Sequence, residues 1–386
     1  MRQRRLQSVI YVNFVPYENA GRILDFLLEN FSFVVLFSFN FHNMNGRKET
    51  NVVRVYRHGK KIEEIYLFRL PTPENFLFLT LPFITGLILL QTVWHVVRLR
   101  RREGRFDFYL TVNAFTAWVG NMLRKLGYIN KTVFWVWDYY PPGYPDWRIR
   151  LARWGYWRVD KHATRHSDKT VFLNERLAKL RQDIGVLPRE HSYDIVPIGT
   201  NPHHSPPNFG KQIIIGHLGV LKRSQGLDLL FDTLPLLLKK FPRLKIEVVG
   251  SGPDEVYFKK RAKPFRCVTF YGFLKQENTV DKIVRRWKMG IATYVPDVSS
   301  PAYWTDPSKI KAYISQGIPV ITTAITPFYA EVKKHKAGIV VDYFDESQFV
   351  DAVYKILKKP KLFQTKARRL AKTYAFDKLY PHLFSS

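Results

Sequence analysis

The chain has 386 residues, 46% of them hydrophobic and 15% aromatic, and 61 Lys/Arg against 32 Asp/Glu give a formal net charge of +29. This excludes a disordered protein and supplies enough apolar chain for two domains, each with its own core. The charge is spread, 30 Lys/Arg against 17 Asp/Glu in residues 1–200 and 31 against 15 afterwards. It therefore describes a basic body drawn to phospholipid headgroups, nucleic acid or acidic small molecules, and not a basic tail.

Taken in order, MRQRRLQSVIYVNFVPY is basic and then apolar, but Asn13 interrupts the run and no small-residue cleavage site follows, so it reads as a strand over Val9–Phe14 and not as a signal peptide. A turn (Pro16, Asn19, Gly21) leads to a helix over about 22–30 and a strand over Phe33–Phe39. Val52–Arg57 and Ile62–Leu70 flank His58-Gly59-Lys60 as a hairpin or a pair of short strands. Phe76–Val97 runs for 22 residues without a formal charge and is followed by Arg98, Arg100, Arg101, Arg102 and Arg105. Three readings stand for it: a membrane span, an ordinary buried helix, or a helix that also dips into a membrane surface. Strand and helix then alternate: Phe106–Val112, Ala114–Leu126, Lys131–Trp137, Trp147–His166, Lys169–Leu173, Glu175–Ile184 and Asp194–Ile198.

Asn201–Gly210 is dense in breakers and reads as the linker between a domain of residues 1–205 and one of 206–365, with a helical segment over 366–386 expected to pack back toward the first. Alternation restarts with strands at Ile213–Leu218, Lys245–Val249, Val268–Tyr271, Met289–Thr293, Val320–Thr323 and Ile339–Val341. Such runs predict parallel sheets covered by helices, twice over, with ligands at the carboxyl ends of the strands. Cys267 is the only cysteine, which rules out an intramolecular disulfide and fits a cytoplasmic location.

Four turns at strand ends carry the chemistry. Gly216–Leu230 (GHLGVLKRSQGLDLL) leaves a strand through Gly219 with Lys222 and Arg223 in the loop; VVGSGPD repeats the device at Gly252; YGFL follows with Phe273. The fourth, YWTDPSKIKAYISQGIPVITT over Tyr303–Thr323, has Asp306 as a capping oxygen, Pro307 and Ser308 to start a helix, and Lys309 on its first turn. A helix N-terminus with a lysine beside it suits a diphosphate. Each of these residues also has an ordinary structural reading, Asp306 as a plain cap and Lys222 and Arg223 as basic surface.

In that order, GVLKRSQGLDLL, KIEVVGSGP, VTFYGFL, GIATYVPD and DPSKIKAYISQGIPVI before AGIVVD resemble the sugar-nucleotide half of GT-B glycosyltransferases of the retaining family-4 type, and VFWVWDYYP, RHSDKTVFLNERL and IVPIGTNP are similar to the acceptor half. The resemblance implies an α/β fold of two Rossmann-like domains facing each other across a cleft. It implies transfer of a hexose from a nucleotide-diphosphate sugar, bound by Gly219, Lys222, Arg223, Gly252, Phe273, Tyr303, Trp304, Asp306, Ser308 and Lys309, with no separate cofactor. The acceptor side would be Tyr17, Gly21, Asp138 and Tyr139, with Asp138 and Lys309 catalytic. No Asp-x-Asp pair is present, so Lys, Arg and helix ends would neutralise the diphosphate in place of a metal. Departures are specific: Val220 and Gln225 stand where the family has a basic pair, Trp304 and Ala312 where it has the E-x7-E glutamates, and Trp137 where it has a histidine. The acceptor expected is lipid-linked or a polysaccharide, at the inner face of an anionic membrane. The alternatives are a non-catalytic descendant that binds glycan or partner, and a basic module for membrane or nucleic acid, though no nucleic-acid recognition motif appears.

Overall fold

The structure, a computed structural model, describes residues 6–14, 19–40, 51–70, 77–137, 139, 146–207 and 210–385. The chain divides into two compact units, Met1–Ile198 with Leu379–Ser386, and Gly199–Lys378.

The first unit runs β1 (Leu6–Asn13), α1 (Ile23–Asn30), β2 (Phe31–Ser38), β3 (Val52–Arg57), β4 (Lys60–Tyr66), α2 (Leu77–Glu103), β5 (Phe106–Thr111), α3 (Ala114–Lys125), β6 (Ile129–Val136), α4 (Trp147–His166), β7 (Lys169–Phe172), α5 (Glu175–Asp183) and β8 (Asp194–Ile195). Its eight strands lie in the order β4-β3-β2-β1-β5-β6-β7-β8. All pairs from β2 to β8 are parallel, but β3 and β4 are antiparallel. Of the two readings of residues 52–70, a hairpin or a pair of short strands, the structure has the hairpin, which adds an antiparallel edge to the sheet. His58 and Gly59 have φ of 48° and 78°, the two left-handed residues of a tight hairpin whose twist matches its strands. Side-chain oxygens start the helices: Asn113 accepts from the Phe115 amide at 2.9 Å and Asn174 from Leu177 at 2.9 Å.

The second unit runs β9 (Ile214–Leu218), α6 (Asp228–Lys240), β10 (Lys245–Val249), α7 (Glu255–Ala262), β11 (Val268–Gly272), α8 (Glu277–Val284), β12 (Met289–Ala292), α9 (Pro301–Trp304), α10 (Ser308–Ser315), β13 (Val320–Thr323), α11 (Tyr329–Lys334), β14 (Gly338–Val341), α12 (Glu346–Lys358) and α13 (Pro360–Thr373). The sheet order β11-β10-β9-β12-β13-β14 is parallel throughout. One core holds Leu230, Leu234, Val248 and Val353 from α6, β10 and α12; another holds Trp287, Tyr313, Ile314 and Leu370, with α10 and α13 among its sources. Strand order reverses between β9 and β12, and the carboxyl ends at such a switch point form the crevice that binds ligands in doubly wound sheets.

The division lies at 198/199 and not at 205/206, because the breaker-rich stretch is held by the second unit. The Thr200 amide donates to Tyr374 O at 2.8 Å, His203 N to Ser315 O at 2.8 Å, and Arg285 Nη2 to Pro206 O at 2.9 Å. The expected 366–386 segment is split for a similar reason. Ala367, Leu370 and Ala371 are buried in the second unit's core, so α13 stays there. Two short helices follow, α14 (Phe376–Leu379) and α15 (Pro381–Phe384). Tyr380 donates its hydroxyl to Gly21 O at 2.6 Å, and Phe384 lies 4.9 Å from the Phe31 ring and 5.2 Å from Phe108, which fastens the end of the chain to the first unit.

Candidate functional site

The site grows out of the strand ends of the second unit. After β9 the chain turns at Gly219, and after β10 at Gly250, with φ of 129° and 134°. A Cβ on Gly250 would meet the Gly219 carbonyl oxygen at 1.9 Å, so only glycine allows the two turns to touch. They are then joined by hydrogen bonds from Gly219 N to Val249 O at 2.9 Å and from Leu221 N to Ser251 O at 3.0 Å. A Cβ on Gly252 would lie 2.4 Å from Leu221 O, part of the same close approach.

α10 is aimed at this edge by Tyr313. Its buried hydroxyl accepts from Leu218 N at 2.8 Å and donates to Ile291 O at 3.0 Å, tying the helix to both β9 and β12. Burial pushes the Tyr313 phenol well above its usual range, which keeps it a neutral donor. The α10 N-terminus leaves the first amides, at Ser308, Lys309 and Ile310, with no earlier turn to bond.

Lys309 is the residue this geometry singles out. It is 7% exposed, and among the described residues its Nζ has no hydrogen-bond partner. The side chain runs along Gly219, where a Cβ would sit 3.4 Å from Lys309 Cε and 3.8 Å from Nζ. The ammonium lies 4.9 Å from the Tyr294 ring centroid, a cation–π contact that offsets part of its lost hydration. Burial pulls its pKa down to about 7. His217, fully buried on β9, is pushed well below the usual histidine range, first by burial and then by the Lys309 charge. Since the unfolded chain holds the Lys309 proton to about 10.4, it binds the extra proton between that pH and 7. This group's contribution to stability therefore rises with pH across that window.

Gly219 and Lys309 are brought together, with Ser308 beside them at the start of α10. Arg223 is turned elsewhere: Nε pairs with Asp228 at 3.3 Å and the guanidinium stacks on Tyr257 at 4.8 Å. Lys222 is exposed in the same loop, and Phe273 is half exposed after β11. Trp304 closes its own loop through Nε1 to Val298 O at 2.9 Å and packs edge-on against Tyr303. Asp306 is not the cap of α10. The residue at that position is Pro307, with no side-chain cap, and Asp306 instead forms an ion pair with Lys311, both side chains under 5% exposed. Asp306 stands one residue before the cap position, and its carboxylate makes a charge-assisted bond to Lys311.

On the acceptor side, Tyr17 and Asp138 lie outside the described residues. Gly21 has φ of 62° and accepts from Tyr380. Tyr139 is buried, edge-on to Trp157 at 5.8 Å, and burial raises its phenol against the lowering effect of Arg181 and Arg153. Among the described residues no three His, Cys, Asp or Glu gather to hold a metal ion.

Sequence reasoning missed His217, Tyr294 and Tyr313. The signal for His217 was available: a histidine between Gly216 and Leu218 inside an apolar strand must be buried.

Residues 212–359 match the model of glycosyl transferases group 1. An uncharacterized glycosyltransferase of Haemophilus influenzae is 22% identical over 169 residues, which are 43% of this chain and 45% of that protein, so the chain matches less than half of that relative's length. Among solved structures, sucrose-phosphate synthase from Thermosynechococcus elongatus aligns over 98% of this chain and 99% of its own at TM-score 0.66 and 16% identity. Anabaena HepE in complex with UDP and glucose aligns over 98% and 99% at TM-score 0.62 and 13% identity. These likenesses establish the α/β architecture of two Rossmann-like sheets that GT-B glycosyltransferases have.

Proposed function

We propose, from the premise that residues 212–359 form a glycosyl transferases group 1 domain on a GT-B fold, that this chain transfers a hexose from a nucleotide-diphosphate sugar to an acceptor hydroxyl. The observation that carries the reading is Lys309: a buried lysine whose Nζ has no hydrogen-bond partner among the described residues, at the N-terminus of α10, beside the Gly219 turn and at the sheet's switch point. Unpaired buried cations are costly, and an anion supplies the missing partner. The departing diphosphate gathers negative charge as the glycosidic bond breaks, and Lys309 with the α10 amides is positioned to hold it without a metal. Retention is the stereochemical outcome implied by the family resemblance, and proton NMR of the product anomer reads it directly. A lipid-linked or polysaccharide acceptor at the cytoplasmic face of a membrane fits the net charge of +29.

A thermal-shift screen over UDP-, GDP-, ADP- and CMP-linked sugars is expected to raise the melting temperature with one base, and UDP is the first choice because HepE was solved with it. No shift with any nucleotide at millimolar concentration would sink the reading. Binding without transfer or slow hydrolysis would instead identify a non-catalytic descendant, a reading favoured by Ala312 on α10, where the resemblance places a glutamate.

The sign of the pH dependence is fixed by the same lysine. A bound diphosphate stabilises charged Lys309, so above pH 7 binding must draw a proton from solvent. Affinity for the nucleotide sugar is expected to fall by up to about tenfold per pH unit above 7. Calorimetry at pH 8.5 in buffers of different ionisation enthalpy should find close to one proton taken up, and almost none at pH 6. Equal proton uptake in Lys309→Met would assign the titration to another group.

A further inference from the structure

The first unit exposes large apolar side chains on the outer faces of three of its helices. α2 buries Ile84, Ile88, Val96 and Leu99 in the core of the sheet, and α3 packs beside both α2 and α4. The remaining faces of these three helices point away from the sheet. They hold Phe83, Leu90 and Trp94 on α2, Trp118 on α3, and Trp147 and Trp154 on α4, each between 40% and 72% exposed.

Spacing turns these residues into stripes. On α2, Phe83, Leu90, Trp94, Arg98 and Arg101 follow one another at intervals of seven, four, four and three, which keeps them on one side of the helix. Trp147, Leu151, Trp154 and Arg158 do the same on α4. Each stripe is apolar first and basic at its end. α4 carries six Lys/Arg and a single carboxylate, Asp160, which is buried against Arg181 at 3.0 Å and so cannot neutralise the surface.

We infer that the outer surfaces of α2, α3 and α4 form a docking face for an anionic lipid bilayer, on which the helices lie in the plane of the interface. Tryptophan suits this position because its ring is apolar and its N–H is polar, so it settles at headgroup depth. The arginines at the stripe ends meet the phosphates. Among the described residues α2 alone is long and apolar enough to cross a membrane, but crossing would strip the sheet of the side chains that α2 buries there. A second copy of the chain would bring the same arginines face to face, and a nucleic acid would set Phe83 and Leu90 against phosphates. The lipid surface is the partner whose chemistry matches both halves of each stripe. The inference deepens the transferase reading only in its purpose, bringing the site to a lipid-linked acceptor; the binding itself does not depend on turnover.

Flotation of the whole protein with phosphatidylcholine vesicles, with and without phosphatidylglycerol, tests it. Wild type is expected to bind the phosphatidylglycerol vesicles at least about tenfold more tightly and to keep part of that binding at high salt. Phe83→Ser with Trp94→Ser, and separately Trp154→Ser, should each lower partition by about tenfold or more, while Arg98→Glu with Arg101→Glu should remove the lipid preference. An unchanged melting temperature and far-UV circular dichroism spectrum certify that each variant is folded. No flotation of wild type, or flotation unaltered by the tryptophan and phenylalanine changes, overturns the inference. So does a wild-type dimer that those changes convert to monomer, since the face would then belong to a second copy. Flotation as expected with no nucleotide bound by any protein would leave this inference standing and remove the transferase reading.

Discussion

Lys309→Ala is expected to weaken nucleotide-sugar binding at pH 7 about a hundredfold while leaving the melting temperature unchanged or raised. Hydrogen bonds to a charged partner contribute about 1.5–3 kcal/mol each, and a hundredfold corresponds to about 2.7 kcal/mol. The loss falls on the complex and not on the fold, because in the free protein the ammonium has no hydrogen-bond partner to lose. Removing it deletes a desolvated cation whose only described compensation is the Tyr294 face. Lys309→Met keeps the aliphatic stem beside Gly219 and should reproduce the binding defect, which separates charge from packing. Arginine is not a conservative choice here, since its wider head would have to fit against the Gly219 backbone. Titration calorimetry and thermal denaturation on the same preparations check both halves, and unchanged affinity in Lys309→Met would take this residue out of the site.

The second large effect concerns stability. Asp306 and Lys311 are an ion pair with both side chains under 5% exposed, and Lys311 Nζ also lies 4.9 Å from the Phe328 ring and 5.6 Å from Tyr374. Burial lowers the Lys311 pKa and Asp306 raises it, so the carboxylate is what keeps the lysine charged. Asp306→Ala removes the carboxylate partner of a buried lysine and is expected to cost about 3–5 kcal/mol. Replacing both, Asp306→Leu with Lys311→Met, removes the charges together and should recover most of the loss. Urea denaturation of the two single variants and the double variant measures the coupling. A cost below about 1 kcal/mol for Asp306→Ala would mean that the pair is far better solvated than its burial indicates.

The fold was legible because its signals are local. Val9–Phe14 and Ile213–Leu218 are apolar runs of strand length, Ala114–Leu126 and Glu175–Ile184 are helix-length segments between strands, and the strand-helix alternation restarts after a breaker-rich stretch. The hairpin was legible from His58-Gly59, while its place beside β2 at the sheet edge was not, because which strand it joins is decided by segments that no tight turn connects. The position of the division was misread for the same reason. His203 and Pro206 look like linker residues by type, and only their bonds to Ser315 and Arg285 assign them to the second unit.

Within the site, residue types alone placed Gly219, Ser308 and Lys309 at helix and strand ends, where anions bind. They did not separate Arg223, captured by Asp228 and Tyr257, from Lys309, which nothing captures. Nor did they show that Asp306 faces Lys311 and not the backbone. Sequence by itself determined the α/β class, the two sheets and the turn at 303–323, since periodicity and capping depend on neighbours a few residues apart. Tertiary structure alone decided which cations are paired and which stand empty-handed, because desolvation and charge pairing are set by groups that only folding brings together.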